Sequence, residues 1–316
     1  MNGEDLSRWL GQHVKESAPI AVATLTAEGD ALAVRGCGED DDFEIGSISK
    51  TVTGMLYVDA IARGEIRSDQ RLGEWLDLAD SEAGRVTLAS LSTHTSGLPR
   101  LPKGLAVSGS LEMLLHGRNP YTATLPELLE QAAATPVGKP KPAYSNLGYQ
   151  LLGHALAVAA DTTYPELVRT RLAVPLGLNP FYVPSAPADL RPGAVPGVSL
   201  RRKARDPWAD AVLGPAGGIR ASIRAMSRFA RATLDERAPG MAALDPVAKF
   251  GRGARIGAAW LTVDLRGTEL TWHNGGTGGF RSLIALDRRA GTGVVVLRAR
   301  SVSVDGIGFR LIQQLS

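Results

Sequence analysis

Residues 46 to 51 read Gly46-Ser47-Ile48-Ser49-Lys50-Thr51, and this stretch decides how the rest of the chain is interpreted. From here to about Arg63 the apolar residues recur at helical spacing, and Gly64 ends the run. We therefore expect Ser47 at a helix N-terminus. Because Ser47 and Lys50 are three residues apart, their side chains share one helix face, and the amine can reach the hydroxyl.

This pair suits nucleophilic catalysis. A serine hydroxyl is a weak nucleophile unless an adjacent base takes its proton, and a desolvated lysine can lose its own proton near neutral pH. The free N–H groups at a helix N-terminus also favour developing negative charge. Taken alone, however, Ser-x-x-Lys is a weak signal, because such a tetrapeptide often arises by chance at a protein surface.

A second motif, Tyr144-Ser145-Asn146, stands at the head of an apolar segment. Tyr144 is a candidate proton relay, and the side-chain amide of Asn146 is a candidate partner for an acyl group and for Lys50. The alternative is a loop tyrosine followed by a helix that Ser145 or Asn146 caps.

The third motif is His273-Asn274-Gly275-Gly276, which follows a strand-like run near the C-terminus. Glycine here lets a substrate or another backbone approach the strand edge. The Gly276 N–H is a candidate oxyanion donor, together with that of Ser47. On its own, the motif fits a glycine-rich hairpin with a structural histidine equally well.

The sequence does not match the common nucleotide-binding loops or the α/β-hydrolase motif. A phosphate-binding loop at residues 46–51 would need glycine in place of Ser49, and a dinucleotide-binding loop after His273 would need glycine in place of Arg281. The chain also lacks the Gly-x-Ser-x-Gly elbow of α/β-hydrolases.

Composition indicates an ordinary globular protein. Of 316 residues, 44% are hydrophobic and 21% are charged, which allows a sizeable core but hardly two independent domains. The net charge of +3 is small, and the basic runs at 201–203 and 288–289 lack interleaved aromatics, so we expect no nucleic-acid partner.

The single cysteine, Cys37, excludes an internal disulfide. We expect no cofactor and no metal, because His13, His116 and His154 show no ligand spacing.

The first residues predict a location inside the cell. They carry Glu4 and Asp5 and lack the apolar segment of a secretory signal, and no run of the chain approaches membrane-spanning length. We therefore expect a cytoplasmic protein that does not contact a membrane.

Two groups of strand-like runs frame a helix-rich middle. Residues 19–27 and 31–35 form an expected hairpin around Glu28-Gly29-Asp30, and further strands are expected between 256 and 298. The pattern predicts an α/β (α+β) fold, with one antiparallel sheet built from both chain ends, flanked by helices, and an inserted all-helical lobe. We place the α/β lobe at 1–80 and 215–316 and the helical lobe at 81–214.

The motifs together resemble the serine β-lactamase and penicillin-binding-protein superfamily, and specifically its class C or family S12 branch. The resemblance covers nearly the whole chain. Its five ordered segments are residues 43–47, 91–99, 144–149, 215–218 and 273–276. That branch also contains esterases, D-amino-acid peptidases and acyltransferases, and it implies a β-lactamase/transpeptidase-like fold.

The resemblance also implies roles for individual residues. Ser47 would be the acylated nucleophile, Lys50 the base that activates it, Tyr144 the proton relay and Asn146 a binding amide. Tyrosine rather than serine at position 144 disfavours class A. In this branch the segment around His94 is structural, so we expect His94 to be a buried or loop histidine and not a catalytic base.

The departure from the family pattern is His273, which stands where β-lactamases and D,D-peptidases usually have the lysine of Lys-Thr-Gly. An unperturbed histidine is mostly neutral at pH 7. A permanent cation for a substrate carboxylate is thus missing at this position, although Arg281 is a nearby replacement.

The sequence therefore favours an acyl-enzyme serine hydrolase for a small-molecule ester or amide, either an esterase or amidase or an acyltransferase. One alternative is a β-lactamase or D,D-peptidase, and another is a non-catalytic binding or sensor protein, which the intact Ser47, Lys50 and Tyr144 disfavour. The loops at 100–122 and 180–212 are expected to form the pocket walls. Oligomeric state has no signature in the sequence.

Overall fold

The computed structural model describes residues 1–15, 17–78, 80–102 and 117–315 of the chain. The helices are α1 (Gly3–His13), α2 (Ser49–Ala62), α3 (Leu88–Ser92), α4 (Leu125–Ala133), α5 (Asn146–Ala159), α6 (Tyr164–Val168), α7 (Gly214–Gly217), α8 (Ile223–Leu234) and α9 (Asp305–Leu315). The strands are β1 (Ile20–Thr26), β2 (Gly29–Arg35), β3 (Asp42–Glu44), β4 (Phe181–Tyr182), β5 (Arg220–Ser222), β6 (Ala248–Lys249), β7 (Ala254–Ile256), β8 (Leu261–Leu265), β9 (Thr268–Gly276), β10 (Arg281–Asp287) and β11 (Thr292–Arg298).

An eight-stranded antiparallel sheet, in the order β2-β1-β11-β10-β9-β8-β7-β6, forms the centre of the fold. The two ends of the chain meet in it, since β1 pairs with β11 and Ile20 lies opposite Arg298. Helices α1 and α9 pack on one side, and α8 packs on β1 and β11. This arrangement confirms the prediction of one antiparallel sheet, built from both chain ends and flanked by helices.

The sheet separates two hydrophobic cores. In β11, Val294 and Val296 join the smaller core with α1 and α9, while Val295 and Leu297 join the larger core on the opposite side. Side chains alternate along a strand, so a strand that is covered on both faces must be apolar at successive positions. Burial of each of these side chains stabilises the fold by about 1.5–3 kcal/mol.

Helix α2 runs through the larger core and is buried along most of its length. A methyl group at Gly54 would collide with the backbone of Ala258, so glycine allows the helix to pack closely there. Helix α5 packs against α2. Both helices begin next to the same cleft.

The turn before α2 differs from the expected helix start. The α-helix begins at Ser49, and Gly46 to Ile48 form a 3-10 turn, with Ser47 in its middle. Gly46 has a φ of 53°, and a methyl group on it would lie 2.6 Å from the backbone nitrogen of Gly276. The approach of β9 therefore shapes this turn, and local periodicity carries no sign of it.

The helix-rich middle of the chain also contributes β4 to a three-stranded sheet in the order β3-β5-β4. The lobe boundaries at residues 80 and 214 stay a prediction. Residues 103–116 of the expected pocket loop, which include His116, lie outside the described residues. Across the described ranges, no helix combines the length and the apolar character needed to cross a membrane.

Candidate active site

A cleft of about 500 Å³ opens beside the 3-10 turn. It is lined by Ser47, by Tyr144 from the segment before α5, by residues 274–276 of β9, by Arg281 of β10 and by Asp305 of α9. The three motifs lie far apart in the sequence, and the fold brings a part of each to one cavity.

Ser47 and Lys50 are in direct contact. The Lys50 Nζ lies 3.1 Å from Ser47 Oγ and donates a second hydrogen bond, of 2.5 Å, to the carbonyl oxygen of Ala216 in α7. Lys50 is 0% exposed, whereas Ser47 is partly open to the cleft. The hydroxyl is thus accessible to a substrate while the amine behind it is sealed from water.

Burial lowers the pKa of the Lys50 amine well below its usual value, and the positive charge of Arg100 lowers it further. Within the described part of the chain, no carboxylate forms an ion pair with Lys50 that would oppose this effect. Both effects favour the uncharged form of the amine, which is the form that can accept a proton.

Tyr144 lies beside both side chains. The Lys50 Nζ is 4.8 Å from the centroid of the Tyr144 ring. Burial raises the pKa of the Tyr144 phenol, and a hydrogen bond with Ser47 opposes that rise only in part. The phenol therefore carries its proton at neutral pH.

His94 supports the Tyr144 segment from behind. Its ring lies 4.5 Å from the Tyr144 ring and 4.7 Å from the Tyr149 ring, and its Nδ1 accepts the Ser145 N–H at 3.1 Å. Burial lowers the pKa of His94 well below its usual value, and the charge of Lys50 acts in the same direction. His94 is 2% exposed, and its Nε2 has no hydrogen-bond partner among the described residues.

Asn146 is the first residue of α5, and Ser145 caps that helix by accepting the Gly148 N–H at 2.9 Å. The Asn146 Nδ2 donates to the Tyr121 hydroxyl at 2.7 Å, and its Oδ1 is buried with no partner in the described ranges. The amide oxygen is thus left to accept a hydrogen bond, whereas no hydrogen bond joins Asn146 to Lys50.

The β9 motif divides between the cleft and the interior. His273 is 2% exposed and does not line the cleft, and its Nδ1 donates to the Asn274 carbonyl at 2.5 Å. Burial, followed by the charge of Lys50, lowers the pKa of His273 to about 4. His273 is therefore neutral at pH 7, as the expectation for an unperturbed histidine already suggested.

The other β9 residues do reach the cleft. Asn274 donates a hydrogen bond from its side chain to Asp305 at 3.0 Å. Gly275 lies so close to the turn that a methyl group would collide with the carbonyl oxygen of Ile45 and with Ser282 Oγ. The backbone of Gly276 lies against Gly46, next to Ser47.

Comparisons with known proteins decide the family. The model of the family described as Beta-lactamase matches residues 6–314. The chain belongs to the β-lactamase family. This result confirms the predicted superfamily and supports the expectation of an enzyme.

Individual members of the family are distant in sequence. A beta-lactamase of Escherichia coli (strain K12) is 30% identical over 194 residues, which are 61% of this chain and 48% of that protein. Penicillin-binding protein 4 of Amycolatopsis lactamdurans is 27% identical over 244 residues, 69% of this chain and 60% of that protein. The chain thus matches about half to three fifths of the length of these relatives.

Solved structures show the same fold over the whole chain. The structure described as a beta-lactamase/D-alanine carboxypeptidase from Pseudomonas syringae has a TM-score of 0.82 at 20% identity and covers 99% of both chains. A class C beta-lactamase has the same TM-score at 18% identity and covers 99% of this chain and 95% of its own. The β-lactamase-like fold is therefore confirmed.

Three features of this β-lactamase-family site have no clear signal in the sequence. Arg100 and Asp305 line the cleft, and the carbonyl of Ala216 holds the Lys50 amine. A backbone acceptor is independent of residue type, so only the family segment at 215–218 points to it. Arg100 directly follows another family segment, and a single surface-type arginine gives no hint of its position.

Proposed function

We propose that this chain is an acyl-enzyme serine hydrolase that acts on a small-molecule ester or amide. The observation that carries the proposal is the 3.1 Å contact between the accessible Ser47 hydroxyl and the fully buried Lys50 amine. A lysine that only stabilised the fold would be expected to have a carboxylate partner, and Lys50 has none among the described residues. Membership of the β-lactamase family supports the same chemistry.

In the first step, the Ser47 Oγ attacks the carbonyl carbon of the substrate. A C–O bond forms, the hydroxyl proton passes to the uncharged Lys50 amine, and the carbonyl oxygen becomes an oxyanion. The N–H groups of Ser47 and Gly276 are the proposed donors to that oxyanion. The buried surroundings favour this arrangement, because hydrogen bonds to a charged oxygen are stronger where water is excluded.

Tyr144 is the proposed relay to the leaving group. Because its phenol keeps its proton at neutral pH, it is better suited to donate a proton than to remove one from Ser47. It can give its proton to the departing oxygen or nitrogen and regain one from the Lys50 ammonium. Asn146, with its free amide oxygen, is the proposed partner for an N–H group of the substrate.

The acyl-enzyme is then released by reversing the same steps with a new nucleophile. Water gives hydrolysis, and an alcohol or amine gives acyl transfer, with the same balance of bonds and protons in each case. The residues around Ser47 serve both outcomes, so esterase, amidase and acyltransferase activities belong to one proposal.

A second candidate function is that of a β-lactamase or D,D-peptidase, as the descriptions of the similar proteins suggest. The neutral state of His273 argues against it, because no permanent cation stands at that position. Arg100 and Arg281 both line the cleft and are the available cations for a substrate carboxylate. The guanidinium of Arg281, however, already donates to the carbonyls of Thr277 and Phe280.

Intact mass measurement after exposure to short activated esters and to a penicillin tests the proposal, with released product followed in parallel. The wild type should give product or an ester-derived adduct, Ser47→Ala should give neither, and Ser303→Ala in the same cleft should behave like the wild type. Activity that survives in Ser47→Ala would show that the nucleophile is wrong. A stable, Ser47-dependent penicillin adduct would favour the second candidate.

A further inference from the structure

Two basic side chains lie near one aromatic ring at this site. The Lys50 Nζ is 4.8 Å from the centroid of the Tyr144 ring, and the Arg100 Cζ is 5.7 Å from the same centroid. A guanidinium within about 6 Å of an aromatic centroid is attracted to the ring face. Arg100 therefore restrains the ring that also contacts the Ser47 hydroxyl.

The backbone of Arg100 fixes its position relative to that ring. Its carbonyl oxygen accepts the N–H groups of Asn146 and Leu147, at 3.0 and 3.2 Å. These are the first two residues of α5, where backbone N–H groups have no partner within the helix. The start of α5 and the Arg100 backbone are thus held together, which keeps the base of the Arg100 side chain next to the Tyr144 segment.

The other titratable groups that face Lys50 carry no charge at neutral pH. Burial keeps His94, His273 and the Tyr144 phenol in their neutral forms. Across the cleft, Arg281 donates to backbone carbonyls and interacts with Asp305, so its charge is partly compensated. No carboxylate of the described residues forms an ion pair with Arg100.

We infer that Arg100 is a positioning residue for the nucleophile, which holds the Tyr144 ring in place and, through its positive charge, favours the proton-accepting form of the Lys50 amine. This inference rests on the proposed function for its catalytic meaning. A positive charge close to an amine disfavours the ammonium form, and that effect is strongest where the amine is shielded from water. The direction agrees with the lowering of the Lys50 pKa by Arg100.

The inference predicts a shift in the pH dependence of activity. Replacement of the guanidinium by a neutral amide removes the repulsion, so the Lys50 pKa rises and protonation begins at higher pH. The acidic limb of kcat/KM for an uncharged ester should therefore move to higher pH in Arg100→Gln. Arg100→Lys, which keeps the charge, should stay closer to the wild type.

Arg281→Gln is the matched control, because it removes a cation from the same cleft that is turned toward backbone carbonyls. The acidic limb of kcat/KM should move less in this variant than in Arg100→Gln. The inference is wrong if Arg100→Gln leaves the limb in place. It is also wrong if the only effect is a higher KM for an ester that carries a carboxylate, since Arg100 would then bind substrate instead.

A direct titration separates this inference from the proposed function. The ¹⁵N chemical shift of the Lys50 amine, assigned by its absence from Lys50→Arg, reports protonation without turnover. A higher Lys50 pKa in Arg100→Gln than in the wild type supports the inference even if no ester is cleaved, and an unchanged pKa contradicts it. Absence of Ser47-dependent turnover in the wild type would contradict the proposed function alone.

Discussion

Burial sets the protonation of the side chains around Ser47. Lys50 and His273 are buried and Tyr144 is partly buried, and for all three the loss of contact with water is the largest cause of the pKa shift. Each of these shifts favours the neutral form of its group. The proposed roles of Lys50 as base and Tyr144 as acid require these neutral forms.

At the scale of single residues, the rings of Tyr144 and Tyr149 both lie against His94. Variants of these two residues distinguish a loss of catalysis from a loss of stability. Tyr144→Phe keeps the ring contacts and removes the proposed relay, so kcat should fall by about 10²–10⁴-fold with little change in thermal stability. Tyr149→Phe instead removes one of two hydrogen bonds to the buried Ser92 carbonyl, which still accepts the Ala259 N–H, and this should cost about 0.5–1.5 kcal/mol of unfolding free energy. Ester kinetics and thermal unfolding of both variants test this contrast, and equal effects on activity would contradict it.

Lys50→Met removes the proposed base and replaces it with a side chain suited to an apolar site. We expect kcat/KM for an activated ester to fall by about 10²–10⁴-fold, while thermal stability changes little or rises, because burial of the amine is costly. Lys249→Met, at an exposed position in β6, is the control and should retain activity. A Lys50→Met protein with near wild-type kcat/KM would show that another group activates Ser47.

The residue-level chemistry was predictable only where the sequence carries a motif. The resemblance links Ser47, Lys50 and Tyr144 as candidates, and the contact between Ser47 and Lys50 agrees with their helical spacing. Arg100 was not found, because its place beside Tyr144 depends on how its loop meets the start of α5. The burial of a side chain also cannot be predicted from a tetrapeptide. The loss of contact with water that lowers the Lys50 pKa is therefore known only from the structure.

At the scale of elements, the approach of β9 to the 3-10 turn builds the side of the cleft where the proposed oxyanion donors lie. Gly275 is the closest point, where a side chain would meet the Ile45 carbonyl and Ser282 Oγ. The Ser282 hydroxyl also donates to the Ile45 carbonyl at 2.7 Å, which ties β10 to the same turn. The position of the Ser47 N–H relative to the Gly276 N–H is therefore set by two strands that are distant from Ser47 in sequence.

Gly275→Ala should separate β9 from the turn. We expect a loss of unfolding free energy of about 1–3 kcal/mol, as for other overpacked sites, and a loss of ester turnover larger than the loss of folded protein explains. Gly11→Ala is the control, because a methyl group on that exposed position of α1 meets no atom within 4 Å. It should be neutral or slightly stabilising. An active, stable Gly275→Ala protein would contradict the close packing.

The elements themselves were largely predictable. The expected hairpin at 19–35 corresponds to β1 and β2, and the strands expected between 256 and 298 include β8 to β11, because strand-like runs mark both regions. The 3-10 turn was not predictable, since Gly46 takes its conformation from contact with β9. Local sequence thus predicts whether a segment is a helix or a strand. It does not predict where contact with a distant strand changes the end of that segment.

At the scale of the whole molecule, the sheet lies between two cores, and the neutral histidines beside the cleft link folding to pH. His273 has an ordinary pKa of 6.5, which burial lowers to about 4 in the folded chain. Between these values the unfolded chain binds the proton and the folded chain does not. His273 therefore stabilises the folded state fully above about pH 6.5, and this contribution is lost as the pH falls toward 4.

His273→Asn removes this titration while it keeps a side-chain donor. The difference in unfolding free energy between wild type and variant should shrink by up to about 3 kcal/mol as the pH falls from 7 to 4. Denaturant unfolding at several pH values measures it. A difference that stays constant over this range would show that His273 is not held neutral by burial.

The most direct test of the account concerns the activation of Ser47 by a neutral Lys50. An uncharged fluorophosphonate reacts with an activated serine, and intact mass with peptide mapping gives both the rate of modification and its site. We expect modification at Ser47 alone, absent from Ser47→Ala, with a rate that falls only below a pH far under 10.5, the ordinary pKa of lysine. Modification at another residue, or a rate that rises only as the pH approaches 10.5, would contradict the account.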